Sequence, residues 1–288
     1  MTSAETTTNL ETKDRPFGPI HAIKSKSEHT HTAVILHGRG STGEDFAEEF
    51  FQSTLSDGSS LLDKLPGCRW VFPSSPELWS TTFREHMWAW FEAHSLTDIA
   101  AHQDLQASGI RDSVDYVSAI LSEEIRRLDG NTQKLLFGGI SQGGAVAIWT
   151  LLCQQGSVMR PGAFVVASTW LPFAANIERA FAREPGPDVT QRTEFDEFVE
   201  QMIAVKTFPG VTDIVQDTCR LPPVFIGHGV DDAYVDVRLG RHVACILAQA
   251  GFSVEWKEYS GAEAEGHWFK VPDEMDDIHN FLSQVGWM

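Results

Sequence analysis

Ser141 lies in the run Gly139-Ile140-Ser141-Gln142-Gly143, between the apolar stretch KLLFGG (134–139) and the helix-like stretch GGAVAIWTLLCQQG (143–156). Glycine within a strand or helix costs stability, so Gly138, Gly139, Gly143 and Gly144 around one serine call for a backbone of special shape. A sharp strand-to-helix turn is such a shape. It holds the serine in a strained state, crowds its neighbours and exposes the hydroxyl. The G-x-S-x-G spacing therefore predicts Ser141 as a nucleophile.

A serine hydroxyl is a weak nucleophile and needs a base, which in turn needs an orienting acid. With the nucleophile on such a turn, the acid and then the histidine follow in chain order, each after a later strand. The segment FIGHGVDDAYVD offers Asp231, Asp232 and Asp236 as acids. SGAEAEGHWF, after the next strand, offers His267 as the base, whereas His279 falls within an apparent C-terminal helix. The developing oxyanion needs two backbone N–H donors. One is expected from Gln142, next to the nucleophile. The other belongs in the glycine-rich loop LHGRGSTGED (36–45), where Arg39 is the natural donor and Ser41 or Thr42 can cap a following helix.

The elements that must bring these groups together are legible as apolar strands at 32–38, 68–76, 134–139, 162–168, 222–229 and 252–259. Ile110, Val114, Val117, Leu121, Ile125 and Leu128 recur at steps of three and four and mark a helix, as do 236–250 and 273–285. Strands apolar on both faces, alternating with helices, predict an α/β fold with a mostly parallel central sheet covered on both sides. Active sites in such sheets form at the carboxyl ends of the strands. We expect one domain over 17–288, preceded by a disordered polar tail over 1–16. Residues 173–220 break the rhythm and read as an inserted lid or helical excursion. In 77–94 the residues Trp79, Phe83, Met87, Trp88, Trp90 and Phe91 crowd a loop-like region, as pocket lining or as core.

The 288 residues are 42% hydrophobic and carry a net charge of -18, which argues against nucleic acid and against adsorption to anionic membranes. Four cysteines are scattered without metal-site spacing, and Cys153 and Cys245 sit in apolar helical runs as expected buried thiols. No metal and no cofactor are expected. The N-terminus lacks the apolar core of a secretory signal, and no run approaches the roughly 18 apolar residues that span a bilayer. The expectation is a soluble cytoplasmic protein.

Together, LHGRGSTGEDF, WAWFE, SGIRDSV, GGISQGGAVAIW, STWLPF, GHGVDDAYVDV and GHWF resemble the acyl-protein thioesterase family, in the phospholipase/carboxylesterase branch of the α/β-hydrolases. The resemblance runs from about residue 32 to 285, apart from 173–220. It implies a cofactor-free hydrolase of acyl thioesters or carboxylic esters, with Ser141 as nucleophile, His267 as base and Asp232 as acid. It places the oxyanion donors at Arg39 and Gln142, and the acyl-channel lining at Trp90, Phe91, Trp170 and Leu171. The family commonly has an apolar residue where Arg39 stands. A guanidinium there could bind an anionic substrate group or turn outward and contribute only its backbone N–H. Three functions compete: a long-chain protein deacylase, an esterase for small anionic metabolites, and a ligand-binding protein that has lost catalysis. The corresponding partners are an acylated protein or a small acyl ester, and exposed aromatics near the site could support a homodimer.

Overall fold

The computed structural model describes residues 16–95, 98–154, 160–182, 193–204 and 221–288. The expected tail, except for Pro16, and the EPGPDVTQR run (184–192) lie outside the described residues. The elements in chain order are β1 (Ile20–Ile23), β2 (His31–Leu36), α1 (Gly43–Gln52), α2 (Leu61–Lys64), β3 (Cys68–Pro73), β4 (Glu77–Ser80) and β5 (Glu85–Trp88). There follow α3 (Asp104–Arg127), β6 (Leu135–Ile140), α4 (Ser141–Cys153), β7 (Ala163–Ala167), α5 (Ala174–Ala182) and α6 (Glu194–Ala204). The chain ends with β8 (Val224–Gly229), α7 (Val237–Gln249), β9 (Val254–Tyr259) and α8 (Asp273–Gln284).

Seven strands form one sheet in the order β1-β3-β2-β6-β7-β8-β9, parallel except for the antiparallel β1–β3 pair. The six expected strands are all present in it. The short β1 and the separate antiparallel β4–β5 hairpin are additional. Strand side chains alternate between two cores. Val34 and Leu36 of β2 join α3, α4 and α7 on one face, while Ala33 and Ile35 join α1 and α8 on the other. The expected apolar stripe of α3 is buried, with Ile110, Val114, Val117 and Leu121 wholly inaccessible.

The order of the strands positions the site. From β2 the chain passes through α1 to β3 on one side, and then through α3 to β6 on the other side of β2. At such a reversal a crevice opens beyond the carboxyl ends of the central strands, here β2 and β6. The loop bearing Arg39 and the turn bearing Ser141 leave from those two ends. In the irregular region, α6 packs on α4 and α5 packs on α6 and α7, with Phe198 centred 5.6 Å from Trp149 and 5.1 Å from Phe173. Of the two expected buried thiols, Cys153 is buried, but Cys245 is exposed because α7 turns that side outward.

Candidate active site

β6 ends at Ile140 and α4 starts at Ser141, with no connecting loop. The reversal is absorbed at Ser141, whose φ of 55° lies in the left-handed region that a non-glycine residue rarely adopts. Close approach explains the flanking glycines. A Cβ on Gly143 would come within 2.4 Å of the Leu36 and His37 carbonyl oxygens, and one on Gly139 within 2.7 Å of Leu36 O. The start of α4 thus lies against the end of β2. Thr169 secures the turn by donating its hydroxyl to Ser141 O at 2.7 Å.

The loop after β2 lies alongside, since a Cβ on Gly38 would sit 3.4 Å from that of Ser141. His37 fixes this loop. Its Nδ1 donates to Gly38 O at 2.7 Å, and its Nε2 accepts from the Ser75 amide at 3.0 Å. Burial pushes the His37 imidazole down to about 4, which keeps it in this neutral tautomer. The carbonyl it holds belongs to the same planar peptide as the Arg39 N–H, so the direction of that donor is set as well.

Gln142 contributes more than its backbone. Its Oε1 accepts from Trp90 N at 2.9 Å, and its Nε2 donates to Phe91 O at 2.7 Å. Trp90 in turn donates its indole N–H to His37 O at 2.9 Å. Trp90 and Phe91 have no accessible surface, and Trp170 and Leu171 are only 2% exposed. The four residues expected to line an acyl channel are buried in this structure, and of these Phe91 also borders the recess beside Arg39. The reason is polar as well as apolar: the Trp90 N–H groups are committed to Gln142 and His37, and Phe91 stacks edge-on to Trp170.

Beyond β8 and β9, Asp232 and His267 meet. His267 Nδ1 donates to Asp232 Oδ2 at 2.7 Å, which leaves Nε2 as the acceptor. Asp232 Oδ1 accepts from the amides of Tyr234 at 2.8 Å and Val235 at 2.9 Å. His228 Nε2 approaches Oδ2 to 3.4 Å while bonded to Val235 O at 2.8 Å. Burial alone would raise the Asp232 pKa, but the contacts with His228 and His267 and the Val235 amide outweigh it and hold it well below the usual carboxylate range. The two loops can approach because residue 266 is glycine: a Cβ there would sit 2.7 Å from Asp231 O. Asp231 accepts from Gly261 N at 2.8 Å, and Asp236 caps α7 through Arg238 N at 2.8 Å. Neither of them contacts His267.

The Arg39 guanidinium neither turns outward nor meets a carboxylate among the described residues. It donates to Ala93 O at 3.3 Å and lies 5.0 Å from the centre of the Phe83 ring. Burial lowers its pKa. Among the described residues, no group of three or more His, Cys, Asp or Glu side chains is placed to hold a metal ion. None of the helices described is long and apolar enough to cross a membrane. Sequence reasoning missed His37, Thr169 and His228, and the side-chain role of Gln142. The pairs GH at 227–228 and HG at 37–38 gave the one available hint, a histidine beside glycine at each strand end.

Comparison with known proteins identifies the family of the chain. The phospholipase/carboxylesterase family model matches residues 19–221, which include Arg39, Ser141 and Gln142. Acyl-protein thioesterase 1 of Gibberella zeae is 26% identical over 265 residues, covering 89% of this chain and 91% of that protein. Carboxylesterase SOBER1 of Arabidopsis thaliana is 27% identical over 230 residues, covering 78% and 79%. The crystal structure of Zea mays acyl-protein thioesterase 2 superposes with a TM-score of 0.65 at 25% identity, covering 93% of this chain and 99% of that one.

Proposed function

This chain belongs to the phospholipase/carboxylesterase family and is a hydrolase of esters or thioesters, and we propose that Ser141, His267 and Asp232 form the triad that performs the reaction. Ser141 Oγ attacks the acyl carbonyl carbon while His267 Nε2 takes the hydroxyl proton. Asp232 holds the imidazole through Nδ1 and stabilises its cation. The negative charge on the carbonyl oxygen is met by the N–H groups of Arg39 and Gln142, the latter in the first turn of α4, where the helix dipole adds to the effect. The tetrahedral adduct collapses, His267 returns the proton to the departing thiol or alcohol, and an acyl-serine remains. Water, deprotonated by His267, then releases the acid and restores Ser141.

The loopless strand-to-helix turn at Ser141 carries this reading: its left-handed φ of 55° comes with a side chain that faces Gly38 in the loop after β2, which bears Arg39. Hydrolysis of 4-nitrophenyl esters from acetyl to palmitoyl tests it, with Ser141→Ala as control. The variant should fold normally and lose turnover by at least about 10³-fold. Full activity in it would remove Ser141 from the mechanism. A serine-dependent optimum at long chains would support the protein deacylase, and one at short chains the small-ester reading.

A further inference from the structure

The chain contains 40 acidic residues against 22 Lys and Arg, and many described basic side chains meet a carboxylate, although among the described residues Arg84, Arg111, Lys134 and Lys270 do not. Arg69 meets Glu124 at 3.1 Å, Arg179 meets Asp196 at 2.8 Å, and Arg241 meets Glu258 at 2.7 Å. Arg39 is different. It is half-buried, and its one hydrogen bond goes to a neutral carbonyl at 3.3 Å, the long end of the range. A guanidinium has five N–H donors, so most of its donors lack a protein acceptor among the described residues. Its other contact, the face of Phe83, is offered by a ring that is 51% exposed. Glu92 borders the same recess, but its Oε1 accepts from the Thr81 amide at 3.0 Å.

The backbone that carries this cation runs past Ser141, since Arg39 follows Gly38, at which a Cβ would sit 3.4 Å from that of Ser141. The recess that Arg39 borders is mixed, walled by Leu78, Trp79, Met87, Phe91 and Ala93, with Ser80 and Glu92 as its other polar residues. A partly desolvated charge favours a partner of opposite charge far more than one in water does. We propose that Arg39 selects substrates, binding a carboxylate on an arm of the ester whose carbonyl Ser141 attacks, so that the preferred substrates are half-esters or other acyl esters with an anionic arm. The inference rests on the Ser141 mechanism proposed above. The guanidinium leaves Ala93 O and the Phe83 ring to grip both carboxylate oxygens, the geometry in which arginine binds best.

The test compares kcat/KM for matched neutral and anionic esters on the full-length protein. One pair varies the acyl arm, 4-nitrophenyl hexanoate against mono-4-nitrophenyl adipate. The other varies the alcohol arm, phenyl acetate against 4-acetoxybenzoate. Each is run on the wild type, Arg39→Leu and Arg39→Lys, with active enzyme counted by fluorophosphonate titration. The charged-to-neutral ratio should fall by about tenfold or more in Arg39→Leu for one pair, and Arg39→Lys should retain part of it. The pair that responds identifies the arm. Equal ratios in wild type and Arg39→Leu for both pairs would overturn the proposal, whatever the absolute rates. Failure of the Ser141 mechanism would show separately, as hydrolysis or fluorophosphonate capture that persists in Ser141→Ala.

Discussion

Asp231, Asp232 and Asp236 share one loop, yet each is committed to a different donor: Gly261 N, the His267 imidazole and the N-terminus of α7. Substitution should separate them cleanly. Asp232→Asn should lower kcat by roughly 10³- to 10⁴-fold with the fold retained, because the amide no longer imposes the tautomer that frees Nε2. Asp236→Asn should keep near-normal turnover, since asparagine also caps a helix well. A large loss of kcat in the second variant but not in the first would exchange their roles. The loop composition alone leaves these acids equivalent; the family resemblance points to Asp232, and the close approach at Gly266 is what lets its loop reach that of His267. Ser141, by contrast, was legible, because the crowding that requires its glycines is local to a few residues of chain.

Among the elements, β2, α4 and the segment after β5 form one locked unit, in which Gln142 holds Trp90 and Phe91, and Trp90 holds His37. Trp90→Phe keeps most of the ring but strands the His37 carbonyl, a buried acceptor worth about 1–3 kcal/mol. The expected result is a fall in kcat by a similar factor for every ester length, read from the acetyl-to-palmitoyl series. A shifted chain-length optimum would instead restore Trp90 to a substrate channel. Aromatic residues look alike in sequence whether they line a pocket or fill a core, and the side chain of Gln142, which decides the matter here, meets its partners about fifty positions away. The same limit hid β1. Its four residues earn strand geometry only by pairing with β3, well downstream in the chain. Strands β2, β6 and β8 could be read directly because burial on both faces makes them apolar throughout.

For the whole molecule, two fully buried ionisable groups set opposite pH trends. His37, pushed down to about 4 from an ordinary 6.5, is held neutral; its contribution is present above 6.5 and is lost as pH falls towards 4. Glu274, pushed up to about 8 from an ordinary 4.5 by burial, is held protonated beneath β8; its contribution is present below 4.5 and is lost as pH rises towards 8. Between 4.5 and 6.5 the two slopes oppose each other, and from 6.5 to 8 only the loss from Glu274 remains. Urea unfolding should therefore show stability declining over that upper window, by at most about 1.4 kcal/mol per pH unit from this group. Glu274→Gln should flatten the decline, and an unchanged slope in the variant would mean that Glu274 is ionised in the folded protein.

In the proposed mechanism, Ser141 and the loop after β2 are in place once α4 has formed, whereas Asp232 and His267 arrive only after β8 and β9. During synthesis, then, the serine emerges long before anything can deprotonate it. A nascent or truncated chain ending ahead of β9 would carry a chemically quiet hydroxyl, and reactivity would switch on only as the last strand joins the sheet edge. On the proposed mechanism, hydrolytic competence is in this way a report that β9 has joined the sheet.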